Sequence, residues 1–222
     1  MSSPAVSSRN PIGDDLFLIG HDEYSGKRYA TEEVFGLGLA AAVLLELGWS
    51  RAITVEGGAL KRTVETFSGD PVLDAVLGKV ASREPLTYQY TAWIDYLRED
   101  LYVLIAERLK AHKVIREVRS GLMGRQVRYE AIDPIGAGRP RSRMNGTLRN
   151  PPGPAELAAD NHFAALACIV AAMEMWEVIS GIEPAEATRN AAHITSLFYP
   201  GEQLIIKGIS ESKSALARRV RR

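Results

Sequence analysis

Apolar residues occur along the chain in helix-length runs separated by short polar turns, a pattern typical of a mainly helical core. Thr31 is a suitable N-cap for a helix that continues to Gly48, because its hydroxyl can accept a hydrogen bond from the first turn. The apolar runs 36–45 and 163–173 end well short of the roughly 20 residues that a bilayer requires. Both runs are therefore predicted to be core helices.

Further helices are predicted after residue 70. Asp70 is a good N-cap and Pro71 is tolerated at the first helical position, so a helix is expected to start there. Residues 91–112 carry apolar side chains mostly on one helical face and should pack on the helix that begins after Thr31. The C-terminal third predicts three more helices, at 157–180, 185–197 and 203–219.

Two short hairpins are predicted between these helices. Residues 52–56 should pair with 60–67, and 114–118 with 126–132 across a glycine-containing turn. The order of helix, strand, helix, helix and hairpin is also that of a winged helix. The predicted fold is a mainly α, single compact helical domain over residues 14–222, with small β-hairpins and a winged-helix-like central part. Residues 1–13, which include several serines and prolines, are predicted to be a disordered lead-in.

The motifs associated with enzyme chemistry are weak in this chain. Gly36 and Gly38 partly match a dinucleotide fingerprint, but a helix start precedes them where a buried strand is required, so close helix packing is the better interpretation. Cys168 stands in an apolar run, where burial should raise its pKa. The four histidines are far apart and are interpreted as surface or cap residues, and the pairs Asp14-Asp15, Asp22-Glu23 and Glu32-Glu33 as solvated caps. A non-enzymatic protein without metal or cofactor is expected.

Charge is balanced overall, with 27 basic and 27 acidic residues, but not locally. Residues 116–149 contain eight arginines, no lysine and three acidic residues, a net charge of +5. A loop is predicted at 134–153, in which Arg139, Arg141 and Arg143 stand beside Met144. Arginine favours bidentate contacts with phosphate, so this segment is a candidate surface for an anionic bilayer, with Met144 as the inserting group. The alternative is a solvated loop without a ligand.

Four segments resemble the Golgi phosphoprotein 3 family, especially its bacterial members. Asp14-Asp15-Leu-Phe-Leu-Ile is similar to the family's opening segment. Gly38-Leu-Ala-Ala-Ala-Val-Leu-Leu-Glu-Leu47, with Ala52-Ile-Thr-Val-Glu56 after it, resembles a family helix and strand. Gly69-Asp-Pro-Val-Leu-Asp74 and, more loosely, Trp93-Ile-Asp-Tyr-Leu97 resemble two further motifs. Together they extend over roughly residues 14–130 in the family's order.

In eukaryotic members, the resemblance implies a mostly helical domain that binds phosphatidylinositol 4-phosphate on Golgi membranes, adapts membrane-enzyme tails and inserts an apolar hairpin into the bilayer. The family's headgroup pocket uses a tryptophan and three arginines. The positions that match the tryptophan and the first arginine hold Thr31 and Ala40, and the other two hold Arg98 and Leu101 under one gap placement. The family's pocket is therefore mostly unmatched in this chain.

These observations favour a cytoplasmic, peripherally membrane-associated domain that binds anionic phospholipid. The predicted headgroup contacts are Arg98, Arg139, Arg141 and Arg143. A membrane-protein tail and a second copy of the chain are further candidate partners. The alternative function is nucleic-acid binding, with residues 91–112 in the major groove, but the acidic balance of that helix is unsuited to phosphates.

Overall fold

A computed structural model describes residues 10–64, 68–82, 89–120 and 126–220 of the chain. In its first half, the helices and strands are α1 (Ile12–Ile19), α2 (Glu32–Trp49), β1 (Ile53–Glu56), β2 (Ala59–Arg62), α3 (Pro71–Ser82), α4 (Tyr90–Ala111), β3 (Ile115–Ser120) and β4 (Gln126–Ala131). The elements described after β4 are helical, namely α5 (Pro134–Ala137), α6 (Arg139–Arg149), α7 (Pro154–Ala159), α8 (His162–Met173), a 3₁₀ turn (Trp176–Val178), α9 (Pro184–Leu197) and α10 (Pro200–Val220). The mainly helical fold that the sequence predicts is confirmed.

Helix α2 is the centre of the core. Its N-terminus is capped by the Thr31 hydroxyl, which accepts from the Val34 N–H, and nearly every side chain from Phe35 to Leu45 is fully buried. Helices α1, α4, α8 and α10 all pack against it. A helix that is apolar on every side has to be surrounded in this way, because no face of it can meet water without cost.

The two antiparallel hairpins have the predicted positions. In the first, Ile53 is paired with Arg62, and in the second, Ile115 is paired with Ala131. The turn of the second hairpin, residues 121–125, lies outside the described residues. So do residues 65–67, the end of the strand that is predicted to pair with 52–56 in the first hairpin. The second hairpin follows α4 directly, with Ile115 and Tyr129 buried against the core and Arg119, Val127 and Arg128 exposed.

Two predicted boundaries are wrong. Helix α1 begins at Ile12, whose side chain is buried, so the predicted lead-in ends before that residue; residues 1–9 lie outside the described part. The predicted helix 157–180 is divided into α7, α8 and the 3₁₀ turn. Glu174 ends α8 in a left-handed conformation, with φ of 61°, and turns the chain back along the core.

The predicted basic loop at 134–153 is wrong, since most of it is helix. The Asp133 carboxylate accepts from the Gly136 N–H and starts α5, and Pro140 stands in the first turn of α6. Proline is favourable there because its fixed φ suits a first helical turn. Pro140, Met144 and Leu148 are spaced by four residues and are buried on the face that α6 turns toward α8.

Gly36 and Gly38 lie inside the buried helix α2, as predicted, and the described strands form only antiparallel pairs. A Cβ on Gly36 would be 2.5 Å from the Arg98 carbonyl oxygen of α4, and one on Gly38 would meet the Met173 sulfur of α8. The glycines are therefore required where two helices approach the α2 backbone closely.

Gly36→Ala should lower the free energy of unfolding by about 1–2 kcal/mol. Alanine favours helix by up to about 1 kcal/mol, but overpacking against the α4 backbone costs about 1–3 kcal/mol. Gly48→Ala is the matched control, because nothing lies within 4 Å of the place that its Cβ would occupy and the gain in helix propensity is unopposed. Urea denaturation of both variants measures the difference. Equal stability of the two variants would contradict the close approach of α4.

Candidate functional site

The connection between α1 and α2 is a tight, hydrogen-bonded turn. One carboxylate oxygen of Asp22 accepts from the N–H groups of Tyr24 and Ser25 and from the Ser25 hydroxyl, which lowers the pKa of Asp22. Gly26 has a φ of +63°, and a Cβ there would be 2.6 Å from the Tyr129 carbonyl oxygen. The turn is therefore pressed against β4 and presents the residues that follow it beside the hairpin.

An open cleft of about 630 Å³ lies between this turn, α4 and the β3–β4 hairpin, and is called the hairpin cleft below. Its lining includes two carboxylates, Glu32 and Glu117, and four cationic side chains. The cations are Lys27, Arg28, Arg119 and Arg128. The ionised side chains of the lining therefore sum to +2, in a chain with no net charge.

The cations of the hairpin cleft differ in how firmly they are held. The Arg28 guanidinium lies 5.1 Å from the centroid of the Tyr102 ring, and its Nε donates to the Ala30 carbonyl at 3.0 Å. The Arg119 side chain is 72% exposed and its Nε donates to Glu117 at 3.0 Å. Arg28 is thus oriented in advance, whereas Arg119 can move toward a ligand at the cleft mouth.

Arg98, a predicted headgroup contact, lies near the N-terminus of α2 and is not part of the hairpin-cleft lining. Its side chain is mostly buried, with Nη2 3.9 Å from the Glu99 carboxylate. The pKa of Glu33 is lowered first by its own backbone N–H and by Thr31, and further by the charges of Arg98 and Arg28. Arg98 and the cleft residue Arg28 therefore act on one carboxylate at the same end of α2.

Two residues of the predicted membrane surface, Arg141 and Met144, face the protein instead of solvent. Arg141 donates to the His21 carbonyl at 2.8 Å and forms an ion pair with Glu23 at 3.1 Å, so it anchors α6 to the end of α1. Its guanidinium also lies 5.1 Å from the Tyr29 ring centroid. Met144 is fully buried, because α6 is a helix and directs that position into the core. Its predicted insertion into a bilayer is therefore wrong.

Arg139 and Arg143 have the exposure that was predicted for them. They lie one turn apart on α6 and both line a second cleft, of about 370 Å³, against α1 and α8. Arg141 is two residues from each and points away, since a helix turns about 100° per residue. The three arginines therefore do not share one surface, and none of them lines the hairpin cleft.

The interpretation of Asp14-Asp15 as solvated caps is wrong. Both side chains are buried, and Asp14 accepts from the Arg108 guanidinium at 2.7 Å. Arg108 also donates to Asp70 at 2.7 Å, so that one cation joins α1, α4 and the start of α3. Burial raises the pKa of Asp14 despite this cation. We call Asp14, Asp70, Arg108 and the nearby, partly buried Glu46 the Arg108 cluster.

Two histidines that were predicted to be surface or cap residues, His21 and His162, are also buried. The His21 ring Nδ1 donates to the Phe17 carbonyl at 2.7 Å, and burial lowers the pKa of His21 to about 4. His162 contacts the Asp15 carboxylate at 2.9 Å. A local pattern could not have indicated this second contact, because 147 positions separate His162 from Asp15. The His162 contact joins α8 to α1, whereas the His21 bond closes the C-terminal end of α1.

Cys168 is buried, as its apolar neighbours predict, and burial raises the pKa of its thiol to about 12. A thiol with such a pKa is protonated at neutral pH and is a poor nucleophile. Within the described segments, no group of three or more His, Cys, Asp or Glu side chains is arranged to hold a metal ion. No helix in the described part of the chain is long and apolar enough to span a bilayer.

Helix α4 presents an acidic face to solvent. Glu99, Asp100 and Glu107 are exposed, whereas Arg108 is directed into the core and Arg98 is mostly buried. Lys110 is held by Glu107 and Glu117. A recognition helix with this charge would repel the phosphates of a major groove. The observation counts against the nucleic-acid alternative.

The structure is that of a mainly helical protein with an open basic cleft beside its second β-hairpin. The family model of Golgi phosphoprotein 3 (GPP34) matches residues 12–208 of the chain. The chain therefore belongs to the Golgi phosphoprotein 3 family, as its sequence motifs indicated. No curated protein matches the chain.

Proposed function

We propose that the protein binds the surface of anionic phospholipid membranes through the hairpin cleft, as a peripheral, non-catalytic protein. The observation that carries the proposal is the convergence of four cationic side chains from two separate segments on one open cleft. Family membership supports the same class of function. In this proposal the main contact with the membrane is the hairpin cleft and not the arginine-rich segment 134–153 that the sequence predicts.

The hairpin cleft has suitable chemistry for a phosphorylated headgroup. Guanidinium groups form bidentate hydrogen bonds with phosphate oxygens, and the contacts of Arg28 with the Tyr102 ring and the Ala30 carbonyl hold one of them in place before binding. A volume of about 630 Å³ is within the usual range for small-molecule sites. Glu32 and Glu117 reduce the net charge of the cleft lining to +2. We therefore expect tight binding only to anions that are multivalent or clustered on the membrane.

Exposed apolar residues border the same cleft. Val103 of α4 is 54% exposed and Val127 of β4 is 48% exposed, and both are part of the lining. Apolar side chains beside cations suit the boundary between headgroups and acyl chains, where charge attracts and apolar surface partitions. We therefore place the bilayer against the hairpin side of the molecule.

A phosphoinositide headgroup is the candidate ligand that the family suggests. Thr31, Ala40 and Leu101 supply no cation where the family's pocket has its tryptophan and two of its arginines. In this proposal, Lys27, Arg28, Arg119 and Arg128 take over the contact with phosphate. A role as an adaptor for a membrane-protein tail would build on that attachment.

Replacing Lys27, Arg119 and Arg128 together with alanine should weaken binding to anionic liposomes by about a hundredfold at physiological salt. Each cation near an anionic surface contributes on the order of 1 kcal/mol. Arg28 is left in place because it packs on Tyr102. The matched control is R189A/R218A/R219A, which removes three exposed arginines from α9 and α10. Liposome sedimentation with phosphatidylserine, with phosphatidylinositol 4-phosphate and with neutral lipid measures the difference.

Binding of the parent should also weaken steeply as salt is raised, because the Debye length is about 8 Å at physiological ionic strength. Equal losses in the hairpin-cleft and control variants would mean that only net charge matters, and would contradict the assignment to this cleft. A parent that binds none of the anionic liposomes contradicts the function itself. A duplex-DNA control that binds more tightly than any liposome would instead favour the nucleic-acid alternative.

A further inference from the structure

A second basic cleft is lined by different residues from the one that carries the proposed function. It occupies about 370 Å³ between α1, the α5–α6 junction and the start of α8, and is called the α6 cleft below. Arg139 and Arg143 are its cations, and Asn10 and His162 add polar side chains. It shares no lining residue with the hairpin cleft.

The two arginines of the α6 cleft have no carboxylate partner in the described part of the chain, whereas three other arginines of residues 116–149 are paired. Arg116 is paired with Glu130, Arg119 with Glu117 and Arg141 with Glu23. Like charges one helical turn apart repel each other. An anion held between the two guanidinium groups would remove that repulsion and supply the missing partner.

Arg143 is oriented in advance for such a contact. Its guanidinium carbon lies over the Phe163 ring, 4.1 Å from the ring centroid, and both residues line the cleft. A guanidinium is a planar fork whose N–H donors can meet two oxygens of one oxyanion. The contact with Phe163 holds the side chain in place and so reduces the conformational entropy that binding would otherwise cost.

Asp15 is the one carboxylate among the described residues that line the α6 cleft, and its oxygens already have partners. Asp15 is buried, with one oxygen accepting from Asn10 at 3.0 Å and the other in contact with His162 Nε2 at 2.9 Å. Arg143 also borders a neighbouring cleft, which is lined by Glu156 and Asp160. An anion is therefore expected on the Arg139 side of Arg143 and not on the Glu156 side.

We propose that the α6 cleft is a separate binding site for a phosphate group, held in common by Arg139 and Arg143. Two guanidinium forks can meet the three terminal oxygens of a phosphomonoester, which carries close to two negative charges at neutral pH. The group is either free phosphate or the exposed phosphate of a lipid headgroup such as phosphatidic acid. The site is independent of the hairpin cleft and extends the protein's anion recognition to a second surface.

The test is isothermal titration calorimetry of the full chain with inorganic phosphate and with glycerol 3-phosphate, the soluble headgroup of phosphatidic acid. R139A/R143A should lose at least tenfold in affinity for both. R139K/R143K retains the charges but not the planar forks, and should lose several-fold. R189A/R218A removes two exposed arginines elsewhere and should bind as the parent does. Liposomes with phosphatidic acid, compared with phosphatidylserine, distinguish the lipid source from the free anion.

Sodium chloride at matched ionic strength is the control for screening. If chloride produces the same heat, or if R139A/R143A binds phosphate as tightly as the parent, the α6 cleft is not a phosphate site. The hairpin-cleft variant K27A/R119A/R128A should bind phosphate at the α6 cleft unchanged. Its loss of liposome binding tests the proposed function, so the failure of one proposal is distinguishable from the failure of the other.

Discussion

Arg108→Ala is expected to lower the free energy of unfolding by about 3–5 kcal/mol, the usual cost of removing one partner from a buried ion pair. The Arg108 side chain is 3% exposed and donates to both Asp14 and Asp70. Without it, the buried Asp14 carboxylate has no cation, and α1 loses its ionic attachment to α4. Much of the effect therefore comes from the charge that is left behind.

Urea denaturation of three variants tests this account. Arg116→Ala removes an exposed arginine that is also paired, with Glu130, and should cost less than about 1 kcal/mol. The double variant D14N/R108M removes both charges and should recover part of the loss, because a neutral amide costs less to bury than a carboxylate. If R108A is no less stable than R116A, the Arg108 cluster does not hold α1 in place.

Glu46→Gln is expected to remove a large pH dependence of stability. The pKa of Glu46 is raised to about 8, mainly by burial and to a smaller extent by the charges of Asp14 and Asp70, although the Ile12 N–H and Arg108 act in the opposite direction. The folded protein therefore keeps a proton that the unfolded chain loses near its ordinary pKa of 4.5. The contribution of Glu46 to the free energy of unfolding is therefore largest below pH 4.5. It decreases as the pH rises toward 8, by on the order of 5 kcal/mol in total.

The measurement is the difference in free energy of unfolding between the parent and E46Q from pH 5 to pH 9. All other groups titrate in both proteins, including His21, whose lowered pKa destabilises the fold only as the pH decreases. E46Q should therefore become more stable relative to the parent as the pH rises. The amide oxygen that E46Q introduces can still accept from the Ile12 N–H. A difference that does not change with pH would mean that Glu46 is ionised in the fold.

Local patterns in the sequence determined most of the helices and both hairpins. The Thr31 cap and the unbroken apolar run after it predict α2, and the Asp70-Pro71 pair predicts α3, because caps and periodicity act within a few residues. The burial of Cys168 and the helical position of Gly36 were predictable for the same reason. The loop predicted at 134–153 was wrong because glycine and proline interrupt helices in their interior, whereas Pro140 stands at a helix start.

The family motifs in the sequence also determined the fold class, but the position of each charge was decided by the tertiary structure. Asp14 and Arg108 are 94 residues apart, and no local pattern distinguishes a buried acidic pair from a solvated one. Arg139 and Arg143 point into one cleft and Arg141 into the α1–α2 turn because of the helical twist of α6. The hairpin cleft joins residues 26–32 to residues 102–129, which become neighbours only when α2 packs on α4 and the turn closes on β4. Which arginines can contact a ligand therefore depends on packing between distant segments, which cannot be predicted from composition and local spacing.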